Sequence, residues 1–191
     1  ITEGAIISAK STGSGTAGSV TIEGNSPAQS ILIDGPGSGI FTDTQGTGAG
    51  GNIFVNADSV TLQNGGTLSA TTSGTEITAT GGTITVGANQ VQLDSNALIT
   101  AGTSGPGNAG NINLTGDENI TLQNSFIDSG VGSPKGTGDG GTVQLTAPTI
   151  ALHNSRIRAA TSGPGNAGNI DVAAGNRSLA ENSSLQAPTT S

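Results

Sequence analysis

Few residues in this chain are able to do chemistry. Its 191 residues include five bases (Lys10, Lys135, Arg156, Arg158 and Arg177), thirteen acids, one histidine and no cysteine. The group that stands out is Asp128 with Arg156 and Arg158, three charges that fall together when the chain is aligned on its internal repeat. A polysaccharide hydrolase or lyase needs carboxylates grouped on one face, as acid and base or around calcium, and a cation for an acidic sugar. Asp128, Arg156 and Arg158 are the candidate ligand-binding residues on that ground. A plainer reading competes: a surface ion pair between Asp128 and Arg158, worth about 0–1 kcal/mol, and a cation–π contact between Arg156 and Phe126, worth about 0.5–1 kcal/mol. No second carboxylate aligns beside Asp128. The plainer reading is the expectation, and no catalytic residue is assigned.

Other chemistries fail on residue type or spacing. His153 stands where other repeats carry Gln63 and Gln123, a position in a polar column. Without a second His or any Cys a transition-metal site is not expected. A Ser-His-Asp arrangement would need a serine activated by His153 and an orienting acid. Residues 136–141 (GTGDGG) distantly resemble the Gly-Gly-x-Gly-x-Asp calcium nonapeptide, but once and in reversed order. Where Asp139 stands, other repeats carry Asn108 and Asn166, which reads as a loop position rather than a metal ligand. No helix follows any glycine cluster, so the terminal amides that hold phosphate are missing. Thr78/Thr80 and Thr83/Thr85 have the Thr-x-Thr spacing of water-ordering faces but do not recur at the repeat period. No metal and no cofactor is expected.

Composition narrows the partners. The net charge is −8, with charged residues at only 9% and scattered acids. Nucleic-acid binding needs clustered Lys and Arg, and so does an anionic membrane surface. Neither partner is expected, and no stretch approaches the ~20 apolar residues of a membrane helix. Thirty-three glycines and three aromatics (Phe41, Phe54, Phe126) do not describe an ordinary core. Average domains carry about 7% Gly and about 25% charge. Disorder is the first alternative for such a composition. The regular spacing of β-branched residues and Leu argues against it.

That spacing is a repeat. The segment 103–112 (TSGPGNAGNI) recurs unchanged at 161–170, 58 positions on, or two periods of 29. Aligned glycines at Gly18, Gly51, Gly82, Gly110, Gly141 and Gly168 are 33, 31, 28, 31 and 27 apart. Each repeat holds three alternating runs. The first includes Ile53/Val55, Ile84/Val86 and Ile112/Leu114; the second Val60/Leu62, Val91/Leu93 and Ile120/Leu122; the third Leu68/Ala70, Ile99/Ala101 and Ile157/Ala159. Period-two alternation means one buried and one wet strand face. Three short strands joined by turns make one triangular coil, and stacked coils pair each strand with its equivalents above and below. The expected fold is all-β: a right-handed parallel β-helix (β-solenoid) of five to six coils, about 30 residues and three short strands each. Handedness rests on the crossover preference of parallel strands.

Corners and ends follow the same alignment. Asn64, Asn124, Asn154 and Asn182 recur just after the second run, with Ser95 in the gap. Asn tolerates the left-handed backbone of a sharp corner, and stacked amides can bond along the axis. The alignment puts Arg177 in the column of Val60, Val91, Ile120 and Ile150, as a partial cap. Solenoids need polar caps, and neither end supplies a full one. The expectation is one array over 1–191, with 1–17 a partial first coil and 176–191 a diverged last coil and tail. Flanking repeats of the same chain would continue it.

The pattern Gly-Asn-Ile-x-Val, then Val-Thr-Leu-Gln-Asn (60–64, echoed at 120–124), then Ile-x-Ala-x-Thr-Ser-Gly resembles the repeats of filamentous-haemagglutinin-like bacterial exoproteins. The Asn-Ala-Gly-Asn-Ile loops are similar to those of cyanobacterial members. The resemblance spans nearly the whole chain, weakening before residue 18 and after residue 175. It implies a right-handed β-helix exported by two-partner secretion and placed at the outer cell surface or released. It implies a non-catalytic adhesin shaft, with cell-surface glycans or other exoprotein repeats as partners, and it carries over no binding residue. The alternative is an extracellular carbohydrate-binding or polysaccharide-cleaving β-helix protein.

Overall fold

The computed structural model describes residues 1–23 and 29–189, with the backbone alone for 176–179, and contains no helix among them. Its strands in chain order are β1 (Ile6–Ser8), β2 (Val20–Glu23), β3 (Ser30–Asp34), β4 (Gly39–Phe41), β5 (Ile53–Gln63), β6 (Thr67–Ser69) and β7 (Ile84–Asp94). There follow β8 (Leu98–Thr100), β9 (Ile112–Gln123), β10 (Phe126–Asp128), β11 (Val143–His153), β12 (Arg156–Arg158), β13 (Ile170–Glu181) and β14 (Ser184–Gln186). One parallel sheet runs β1-β4-β6-β8-β10-β12-β14, all three-residue strands. The other runs β13-β11-β9-β7-β5-β2, with β3 also paired to β5. Together they stack as a β-solenoid of about six turns, roughly 30 residues per turn.

Like residues stack on like. Ile53, Ile84, Ile112 and Val143 pair in succession, as do Val60, Val91, Ile120 and Ile150. On the short strands Ile40, Leu68, Ile99, Ile127 and Ile157 pair in the same way. All of these are at most 1% exposed, so the core is one column-filled channel. The corner after the short strands takes small residues: Thr42, Ala70, Ala101, Ser129 and Ala159 are fully buried. Where that residue carries a hydroxyl it is bonded, Thr42 Oγ1 donating to Gly51 O at 2.7 Å and Ser129 Oγ to Gly110 O.

The strand count differs from expectation. In β5, β7, β9, β11 and β13 the first and second runs form one strand of 11 or 12 residues, not two strands joined by a turn. Register shifts mark the joint, between Ala88 and Gln90 and between Thr146 and Thr149. A bulge bends a strand while the ladder continues, so this corner is made inside the strand. Alternation on both sides of the joint looks the same whether the chain turns or bulges there.

The bulge also corrects the position of Arg177. Carrying the 27-residue spacing of Gly141 and Gly168 forward puts Arg177 on Ile150. The pairing holds at 27 for Ala147 with Ala174, then becomes 28 for Thr149 with Arg177. Ser178, not Arg177, continues the Ile150 column.

The Asn corners are as expected in backbone. Asn64, Ser95, Asn124, Asn154 and Asn182 all have φ between 47° and 52°. Neighbouring corners bond through backbone rather than through a ladder of carboxamides. Asn124 N–H donates to His153 O at 2.9 Å and Asn154 N–H to Glu181 O at 3.0 Å. A second line was not read from the sequence. Ser11, Thr44, Thr72, Thr103, Val131, Thr161 and Thr189 form a column of single parallel bridges. Thr44 and Thr161 donate their buried hydroxyls to Ala49 O and Asn166 O; Thr72 and Thr103 accept from Gly74 and Gly105 N–H. Unbonded hydroxyls would be costly at that depth.

Candidate functional site

The three candidate residues lie on the outer face of the short-strand sheet. In a three-residue strand the middle residue points inward, here Ile127 and Ile157, and its neighbours point out. Strands β10 and β12 pair Phe126 with Arg156 and Asp128 with Arg158, one coil apart. Arg158 grips Asp128 with two hydrogen bonds, Nε to Oδ1 at 3.0 Å and Nη2 to Oδ2 at 2.8 Å. Asp128 Oδ1 also accepts from Gly130 N–H at 2.9 Å.

The pair is more buried than a surface pair. Side-chain exposures are 27% for Arg158 and 15% for Asp128, because both sit in a groove of about 250 Å³ beside Thr71, Thr100 and Ser104. The hydrogen bond to Asp128 raises the Arg158 pKa above its ordinary value; burial opposes this and the charge of Asp128 adds to it. A cation whose pKa is raised on folding contributes stability below its unfolded pKa and loses it only as pH rises through the folded one. The pair is at full strength throughout the neutral range. Exposed ion pairs give about 0.2–1 kcal/mol and hydrogen bonds to charged groups about 1.5–3 kcal/mol. Arg158→Ala is expected to cost between these, about 1–2 kcal/mol in urea unfolding. A loss under about 0.5 kcal/mol would return the pair to the exposed class.

Arg156 is placed elsewhere. Its guanidinium carbon lies 4.5 Å from the centroid of the Phe126 ring. It borders a second groove, of about 620 Å³, which the Asn corner also lines. The structure thus brings Asp128 and Arg158 together and separates Arg156 from both. The carboxylate of Asp128 is committed to Arg158 and Gly130, which leaves it poorly placed to move a proton on a sugar.

Other charged contacts went unread in the sequence. Lys10 lies 3.5 Å from Asp43 and 4.5 Å above the Phe41 ring. Asp43 Oδ1 accepts from Thr71 N–H and Thr71 Oγ1, both at 3.0 Å. The signal for the ion pair was available: Lys10 precedes Asp43 by 33 residues, the same spacing at which Ser8 pairs with Phe41. His153 pairs with Gln123 in register, as expected, and its Nδ1 lies 3.2 Å from Glu181 Oε2. Asp139 is held between coils: its N–H donates to Asn108 Oδ1 at 2.9 Å, and its Oδ1 accepts from Asn166 N–H at 2.7 Å and Nδ2 at 3.1 Å. The Asn of the Gly-Asn-Ile motif acts similarly, Asn52 and Asn111 accepting from Thr83 and Thr142 N–H at 2.8 Å. Among the described residues, no three of His, Asp and Glu converge as metal ligands would.

Compared with known proteins, the chain matches no family model, no curated protein and no solved structure.

Proposed function

We propose that this chain is a structural shaft, part of a secreted or surface-displayed adhesin-like exoprotein of the filamentous-haemagglutinin kind, with no catalytic role. The observation that carries the reading is the unbroken succession of parallel strand pairs in the two sheets from coil to coil. Repetition of one rung, at about 4.8 Å per coil, makes length a matter of repeat number alone. Backbone amides are used up along the axis, and outward columns of Thr, Gln, Asn and acids keep the sides wet. The charged groups most able to do chemistry hold one another instead: Asp128 with Arg158, Lys10 with Asp43.

Trypsin digestion tests this. Lys135 is exposed in the turn at 133–136, whereas Arg156 and Arg158 lie within β12. A shaft is expected to be cut first after Lys135 and to keep its sheet signal with that loop nicked, because strands on either side remain paired. Early cleavage at Arg156 or Arg158 would show local opening that a shaft cannot have. Release of reducing or unsaturated sugar ends from a polysaccharide panel would overturn the non-catalytic reading.

A further inference from the structure

The groove beside the Asn corner has a composition that shaft duty does not require. Asn96, Asn124, Asn154 and Asn182 line it on four consecutive coils, all exposed. The carboxamide of Asn64, outside this groove, is engaged by Asp34 at 2.9 Å. Those of the four groove residues bond to no other described residue. Asn124, Asn154 and Asn182 hold the same left-handed corner position on three successive rungs (φ 48°, 47° and 48°), so their amides emerge as a row; on the rung before, Ser95 holds that position and Asn96 follows it. Three rungs span about 10 Å at about 4.8 Å each, and that rung is close to the length of one sugar ring in an extended chain.

The same groove carries a cation. Arg156 is exposed, and among the described residues no carboxylate lies within ion-pair reach of it. Phe126 supports it from the neighbouring coil, its ring centroid 4.5 Å from the guanidinium carbon. A supported guanidinium binds a carboxylate in bidentate fashion. Primary amides exchange donor and acceptor bonds with vicinal hydroxyls.

We propose that this groove binds one strand of an acidic polysaccharide, a uronate chain lying along the solenoid axis with a carboxylate on Arg156 and ring hydroxyls on the Asn row. The ligand is chosen by charge complementarity to Arg156 and by the periodicity of the Asn row. The site is lateral, so it adds a lengthwise grip to a shaft without interrupting its rungs. The Asp128–Arg158 pair lies in the other groove and takes no part.

The test is a titration of the ¹⁵N-labelled chain with oligogalacturonate and with its methyl-esterified form, following side-chain amide and guanidinium signals. Acidic oligomer is expected to shift the Asn124, Asn154 and Arg156 signals, and esterification to weaken binding about tenfold or more. Arg156→Gln is expected to weaken it to a similar degree with an unchanged melting temperature, while Arg158→Ala leaves affinity within about twofold. Absence of shifts at millimolar oligomer, equal binding of the esterified form, undiminished binding by Arg156→Gln, or shifts confined to the 105–108 loop would each overturn the proposal.

Discussion

Replacement of Ile120 by Asp is expected to abolish the cooperative thermal melt of the central coils. Ile120 is fully buried and paired to Val91 on one side and Ile150 on the other. Truncating a buried Ile costs about 2–5 kcal/mol, and an unpaired buried carboxylate adds several more. Total stabilities of about 5–15 kcal/mol cannot absorb that sum easily. A solenoid makes it worse, because each coil is stable only through its neighbours. Burial would raise the pKa of the new carboxyl above its unfolded value. The loss should therefore shrink as pH falls, when the group folds uncharged. Thr121→Asp is the control, one residue along and on the outer face, expected within about 0.5 kcal/mol of the parent. Circular dichroism melts at two pH values check both, and an unchanged melt for Ile120→Asp would refute the inward column.

The second large effect is expected from a single methyl group. Gly110→Ala should destabilise by about 3 kcal/mol, the upper end for overpacking. A Cβ at Gly110 would lie 1.9 Å from Gly82 O, and at Gly51, Gly82, Gly141 and Gly168 the corresponding gap to the previous coil's carbonyl is 1.8–2.0 Å. The obstruction is backbone that is itself hydrogen-bonded, so it can yield only by parting the coils. Gly110 N–H donates to Ala101 O at 2.8 Å, which pins the residue from its other side. Gly15→Ala has nothing within 4 Å of the added carbon and is expected to be neutral or stabilising by about 0.4–1 kcal/mol. Urea unfolding of the two variants gives the comparison. Equal stabilities would mean that the glycine column reflects composition and not close approach.

Much of this architecture was legible because a solenoid repeats its environment. When Val60, Val91, Ile120 and Ile150 occupy equivalent places, each confirms the others, and register follows from counting. The Asn corners were legible for the same reason, since one backbone requirement recurs at Asn64, Asn124, Asn154 and Asn182. So was the pairing of Asp128 with Arg158. The buried line through Thr44, Thr72, Thr103 and Thr161 was within reach, as Thr-Ser-Gly recurs, but its hydroxyl partners lie across loops of differing length.

Counting failed where one residue changes the count. An extra residue between Ala174 and Arg177, opposite the step from Ala147 to Thr149, moved Arg177 off the Ile150 column, and pairing that continues through this corner made one strand of two expected runs. Depth was also out of reach. That Asp128 and Arg158 sink into one groove while Arg156 stays exposed over Phe126 in another depends on the curvature between faces, and period-two alternation carries no information on curvature. Residue order decided which side chains share a column, because stacking at one rung is a one-dimensional rule. Only the folded cross-section decided how far each column lies from water, because that is set by where the strands bend.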